Sequence, residues 1–125
     1  NPSNIYTSMV NLYVAKIYHD EGKYLESLNT LDFIIKNSSS KEMQMVANVR
    51  YSRILILQKK YNEAEKFITS TVNFSSNALL IEMLGDISYV KSDINKAKRY
   101  YESSLELQIT PNNRKIIENK LNSIQ

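Results

Sequence analysis

The chain repeats itself, and that repeat limits what it can fold into more than anything else in its sequence. Gly22-Lys23-Tyr24-Leu25-Glu26-Ser27 recurs 37 residues later as Lys59-Lys60-Tyr61-Asn62-Glu63-Ala64, and 33 residues after that as Ser92-Asp93-Ile94-Asn95-Lys96-Ala97. Each copy has a polar turn, an aromatic residue or Ile, two polar residues and a small one. At one fixed distance upstream lies another small residue, Ala15, Ser52 or Gly85, and downstream lies Leu31, Ile68 or Tyr101. A period in the thirties is the size of one helix-turn-helix unit, which buries its apolar face by stacking on its neighbours. Two antiparallel helices approach closely where small residues meet at the crossing, so Ala15/Ser27, Ser52/Ala64 and Gly85/Ala97 are the expected contacts. Tyr24, Tyr61 and Ile94 are expected to fill the wedge beside each pair.

Composition agrees with an all-α chain. Two glycines and two prolines in 125 residues are too few for the turns of an all-β protein. The pattern predicts helices over about 3–21, 24–37, 41–58, 61–73, 76–91, 93–108 and 111–124. Asn37-Ser38-Ser39-Ser40 and Ser75-Ser76-Asn77 supply turn and cap residues between repeats. Thr110-Pro111 reads as a helix start, with Thr as N-cap and Pro in the first turn. Ile116, Ile117, Leu121 and Ile124 then recur at helical spacing beside a polar face, as a capping helix over an exposed last repeat requires.

The 16 basic and 13 acidic residues are mixed along the chain, giving a net charge of +3. A nucleic-acid binder would carry a dense basic stripe, and Lys96, Lys98, Arg99 or Arg114, Lys115 have acids close by, so no nucleic-acid partner is expected. With no cysteine there is no disulfide, thiolate zinc site or thiol nucleophile. The one histidine, His19, sits beside Asp20 and Glu21 with no second His or Cys, so no metal is expected and a helix C-terminal histidine is the plain reading. Gly85 belongs to no phosphate-binding fingerprint, and Glu102/Glu106 form an acidic helix face. No catalytic residue and no cofactor are expected. No apolar run reaches the ~20 residues of a membrane span, and a start at Asn1-Pro2-Ser3 reads as a fragment or processed product.

The repeat resembles the tetratricopeptide repeat. The third copy carries the likeness best, with Leu84-Gly85-Asp86-Ile87-Ser88-Tyr89, Asp93-Ile94-Asn95-Lys96-Ala97-Lys98-Arg99-Tyr100-Tyr101-Glu102 and Pro111 beyond. The other copies depart from it with Ser27 at the usual Ala, Ser52 where Gly is common and Lys59 where the turn Gly is common. The resemblance implies an all-α, right-handed superhelix of about three helix-turn-helix repeats, near 3–38, 41–74 and 76–109. A C-terminal capping helix over 111–124 completes one domain spanning 1–125. Within that fold, Ala15-Lys16-Ile17-Tyr18-His19-Asp20-Glu21-Gly22-Lys23-Tyr24, Arg50-Tyr51-Ser52-Arg53-Ile54-Leu55 and Glu82-Met83-Leu84-Gly85-Asp86 look like the YfgM family, the ancillary subunit of the bacterial Sec translocon.

That closer likeness implies a protein-binding scaffold at the periplasmic face of the inner membrane, held by one transmembrane helix upstream of Asn1. Its implied partners are the Sec translocon, exported polypeptides and periplasmic chaperones. A cytosolic co-chaperone, located in the cytoplasm, or an outer-membrane assembly factor is the alternative reading. In tetratricopeptide folds the first helix of each pair lines the concave surface. Helical projection places Met9, Leu12, Lys16 and His19 there from the first repeat. Val46, Val49, Arg53 and Ile56 follow from the second, and Leu79, Glu82, Asp86 and Tyr89 from the third. The strip is apolar, with Lys16 and Arg53 towards one end and Glu82 and Asp86 towards the other. It suits a peptide groove, a packed surface whose charges pair internally, or a homodimer interface.

Overall fold

The computed structural model describes residues 1–124, and these form seven α-helices and one short 3-10 turn. The helices are α1 (Ile5–Asp20), α2 (Tyr24–Asn37), α3 (Lys41–Leu57), α4 (Tyr61–Thr69), α5 (Ala78–Val90), α6 (Ile94–Leu105) and α7 (Pro111–Ser123). The chain divides into two compact units, Asn1–Gln58 and Lys59–Gln125.

The starts of α1, α3, α5 and α7 are set by side chains that satisfy otherwise orphaned backbone N–H groups. The Asn4 carboxamide accepts from Tyr6, Ser40 from Met43, Asn77 from Leu79 and Leu80, and Thr110 from Asn113 behind Pro111. The repeated turn recurs as a repeated backbone conformation. Gly22, Lys59 and Ser92 have φ of 76°, 61° and 64°, so one left-handed residue closes the first helix of each pair. After α1 the Lys23 N–H reaches the Tyr18 carbonyl at 2.8 Å and the Gly22 N–H reaches His19 at 3.0 Å. After α5, Asp93 reaches Ser88 at 2.9 Å and Ser92 reaches Tyr89 at 2.9 Å, the same reciprocal helix-ending bonds.

In the first unit α2 packs against both α1 and α3. The departure at Ser27 has a local cause. Its hydroxyl donates to the Ala15 carbonyl at 2.8 Å, and both residues are buried where α1 and α2 cross. Ser8 and Ser38 share a buried 2.8 Å hydrogen bond that ties the start of α1 to the end of α2. Leu28, Leu31, Ile34, Ala47, Ile54 and Leu55 are buried.

In the second unit α5 and α6 form the most extensive pair, and α7 packs on α6. The small residue of this repeat lies against a large ring. A Cβ at Gly85 would lie 2.5 Å from the Tyr101 ring, so Tyr101 requires glycine here. Ala97, Tyr101 and Ile117 form a buried cluster, with Leu105, Ile109, Leu121 and Ile124 against it. Of the capping-helix positions read from the sequence, Ile116 stands apart, 48% exposed. Tyr24, Tyr61 and Ile94 are half-buried.

Two helices stop more than one residue short of their expected ends. The fourth runs to Thr69 rather than 73, and the Thr69 and Thr71 hydroxyls bond back to the Glu65 and Phe67 carbonyls. Asn73 then takes a left-handed φ of 62° before a 3-10 turn at Phe74–Ser76. The sixth ends at Leu105 rather than 108, where Arg114 of α7 donates to the Leu105 carbonyl at 2.9 Å.

Candidate functional site

The twelve residues selected from the sequence lie on α1, α3 and α5, eight in the first unit and four in the second. In the first unit Met9, Lys16, Val46 and Arg53 are exposed, and Leu12, His19 and Ile56 are half-buried. Val49 is buried, on a helix that packs against both α2 and α1.

Lys16, His19 and Arg53 come together. They line a cleft of about 250 Å³ with Ala15, Asp20, Ser27, Leu31, Arg50 and Ile54, so that α1, α2 and α3 all contribute. Its floor is apolar, with Ala15, Leu31 and Ile54 fully buried, and its rim is basic. Asp20 is the one acid at that rim. It lies 3.4 Å from Lys16 and 3.4 Å from the His19 ring, whose edge meets Tyr24 at 5.5 Å. The hydrogen bond with His19 and the charge of Lys16 hold the Asp20 carboxyl below the usual carboxylate range. Arg50 is anchored, donating to the Leu12 carbonyl at 3.2 Å. Arg53 has no hydrogen bond or ion pair with any described residue. Arg50 and Asp20 were absent from the selected positions. The helical period places Arg50 three residues before Arg53, and Asp20 follows Lys16 by four, which were the available signals.

The four positions in the second unit have another character. Leu79 is half-buried and Tyr89 exposed, while the two acids are engaged within the unit. Lys120 of α7 donates to Glu82 at 2.7 Å and to both Asp86 oxygens at 3.0 and 3.1 Å. Tyr101 donates its hydroxyl to Asp86 at 2.5 Å. Burial works against the Lys120 charge, but hydrogen bonds and the charges of Glu82 and Asp86 outweigh it and raise its pKa. Burial, reinforced by the Asp86 bond, pushes the Tyr101 phenol far up. Lys120 was missed because its partners are 38 and 34 residues away in sequence. Its one local sign is its place a turn after the buried Ile117.

Among the described residues there is no cluster of three or more His, Cys, Asp or Glu side chains able to hold a metal ion. No described helix is long and apolar enough to cross a membrane.

A family model described as a tetratricopeptide repeat-like domain matches residues 1–125. Three curated relatives are each named ancillary SecYEG translocon subunit. The one from Buchnera aphidicola subsp. Schizaphis graminum is 27% identical over 98% of this chain and 63% of its own length. That from Neisseria gonorrhoeae is 25% identical over 99% of this chain and 60% of its own. The Escherichia coli protein is 20% identical over 97% of this chain and 59% of its own. The chain therefore spans about three-fifths of the length of these relatives. No solved structure matches it.

Proposed function

The chain belongs to the tetratricopeptide repeat-like domain family, and from that premise we propose that it is a non-catalytic scaffold that binds other polypeptides through the first helix of each pair. One observation carries this reading. Large apolar side chains stand open on those helices: Met9 is 51% exposed, Val46 38% and Tyr89 49%. Burying such residues against a partner is favourable at about 25 cal/mol per Å².

The names of the relatives support a finer reading, that of an ancillary subunit contacting the SecYEG translocon. Exported polypeptides and periplasmic chaperones are the further partners of that reading. A single membrane anchor outside residues 1–125 and a periplasmic location belong to it as well. The binding residues proposed are Met9, Leu12, Lys16, His19, Val46, Arg53 and Ile56 in the first unit and Leu79 and Tyr89 in the second. Glu82 and Asp86 contribute through their hold on α7, since both are already paired with Lys120.

Photocrosslinking in the native host, from Leu12, Arg53 and Tyr89 of the full-length protein, tests this. Adducts with translocon subunits or exported chains are expected. Adducts only between copies of this chain would make these faces a dimer interface and remove them as a partner site.

A further inference from the structure

The cleft of the first unit narrows the class of partner. Three of its residues, Lys16, Arg50 and Arg53, carry fixed positive charge, and only Asp20 carries negative charge. His19 adds a ring donor or acceptor at the same rim. Arg50 is committed to the Leu12 carbonyl, and Lys16 and His19 hold Asp20 only at 3.4 Å. Of the two arginines at the cleft, Arg53 has its fork of donors unused among the described residues. A guanidinium offers five N–H donors in a planar arrangement that matches a carboxylate with two parallel bonds. Beside it the buried side chains of Ala15, Leu31 and Ile54 provide an apolar floor. The 250 Å³ cleft has room for one acidic side chain and part of an apolar neighbour.

We infer that this cleft is a docking site for an acidic polypeptide segment: Arg53 takes the carboxylate of an internal Asp or Glu, and an adjoining apolar side chain rests on the floor. This rests on the scaffold reading and specifies the chemistry of its partner. The cations stand on both α1 and α3, so an acidic side chain on a passing strand of polypeptide meets Arg53 from one helix and Lys16 from the other. Once one acid sits between Arg53 and Lys16, Asp20 turns away a further carboxylate next to it, which favours spaced acids over acidic runs.

The test is fluorescence anisotropy on the full chain with an acetylated, amidated octapeptide of alternating leucine and glutamate. The control has glutamine for glutamate, and a third peptide has glutamine throughout but a free C-terminus. The glutamate peptide is expected to bind at least tenfold more tightly than the glutamine peptide. Arg53→Gln should erase that difference, while Arg99→Gln, at an exposed site in the second unit, keeps it. Arg53→Lys, which keeps charge but loses the fork, should retain only part of it. Thermal melting by circular dichroism confirms that each variant folds.

Equal binding of the two blocked peptides, binding of neither, or indifference to Arg53→Gln overturns the inference. Preference for the free C-terminus overturns the internal carboxylate. Tighter binding of a charge-matched single-stranded oligonucleotide overturns a polypeptide occupant. The scaffold reading falls separately. If Leu12 and Tyr89 still crosslink partner proteins while the blocked peptides bind equally, the carboxylate site alone is lost. If neither position crosslinks a partner, the scaffold itself is lost.

Discussion

Lys16, Arg53 and Asp86 occupy one repeat position, immediately after Ala15, Ser52 and Gly85, yet the two units treat it in opposite ways. In the first unit the position is cationic, exposed and open on a cleft whose Arg53 has no partner among described residues. In the second it is anionic, half-buried and closed by Lys120 and Tyr101. The repeat supplies the backbone place, and what later elements supply decides its use. In the second unit α7 delivers a lysine to that place, and in the first unit the space between α1, α2 and α3 stays open. An equivalent position in a repeat therefore does not imply an equivalent role. One side chain secures a capping helix and the other is available to a partner.

The comparison breaks most visibly if the closing lysine is removed. Lys120→Met leaves Glu82, only 8% exposed, without its cation. Breaking a buried ion pair costs about 3–5 kcal/mol, and the partial exposure of Lys120 reduces that to about 2 kcal/mol. Urea unfolding should show the loss, and the same change at Lys16 should cost little because its pair with Asp20 is exposed.

A second contrast concerns packing. Gly85→Ala drives a methyl group into the Tyr101 ring and should destabilise by about 1–3 kcal/mol, read from the same unfolding curves. The first repeat accommodates Ala15 with Leu31 at the position equivalent to Tyr101. Adding Tyr101→Leu to Gly85→Ala should therefore recover part of the packing loss, while giving up the bond to Asp86. If the double variant is less stable than the sum of the single changes predicts, the two repeats are not interchangeable at this crossing.

Alkaline pH sharpens the difference further. Lys120 is raised above its ordinary 10.5 and Tyr101 above 10.0 in the folded chain. Stability from both is complete below those ordinary values. It falls as pH rises past about 10, where the unfolded chain releases protons that the folded chain retains. Unfolding midpoints followed from pH 8 to 11 should drop, and the drop should shrink in Lys120→Met and in Tyr101→Phe.

The smallest effect lies in the turns. Lys59 and Ser92 hold the left-handed conformation that Gly22 adopts without a side chain. Lys59→Gly and Ser92→Gly should each stabilise by up to about 0.5–1 kcal/mol, and Gly22→Ala should destabilise by about 1 kcal/mol. Thermal melting is the readout. A loss of stability in either glycine variant would mean that the lysine or serine side chain serves the turn in some other way.

The sequence made local features readable because their causes are local. Ser40 and Thr110 cap the helices they were expected to start, and α2 has the expected bounds, while Asn77 caps a fifth helix that begins at Ala78 rather than at 76. The early end of α4, ahead of the left-handed Asn73, was not read, because the repeat pattern favoured a longer helix. What could not be read was which distant residue meets which. Nothing near Gly85 says that Tyr101 will lie against it, and nothing near Glu82 names Lys120 as its partner. Periodicity assigns a face to each residue but not a neighbour, so Lys16, His19 and Arg53 could be placed together while Val49 and Glu82 were placed on an open face they do not share.

The measurement closest to the central claim is an NMR titration of the full chain with the blocked leucine–glutamate octapeptide, following backbone amides and the arginine Nε–H signals. Shifts are predicted at the Arg53 Nε–H signal and along residues 12–20 and 50–56, with residues 82–89 and Lys120 unmoved. Shifts centred on Glu82, Asp86 and Lys120, with Arg53 silent, would contradict the account and make the closed position, rather than the open one, the place where a partner docks.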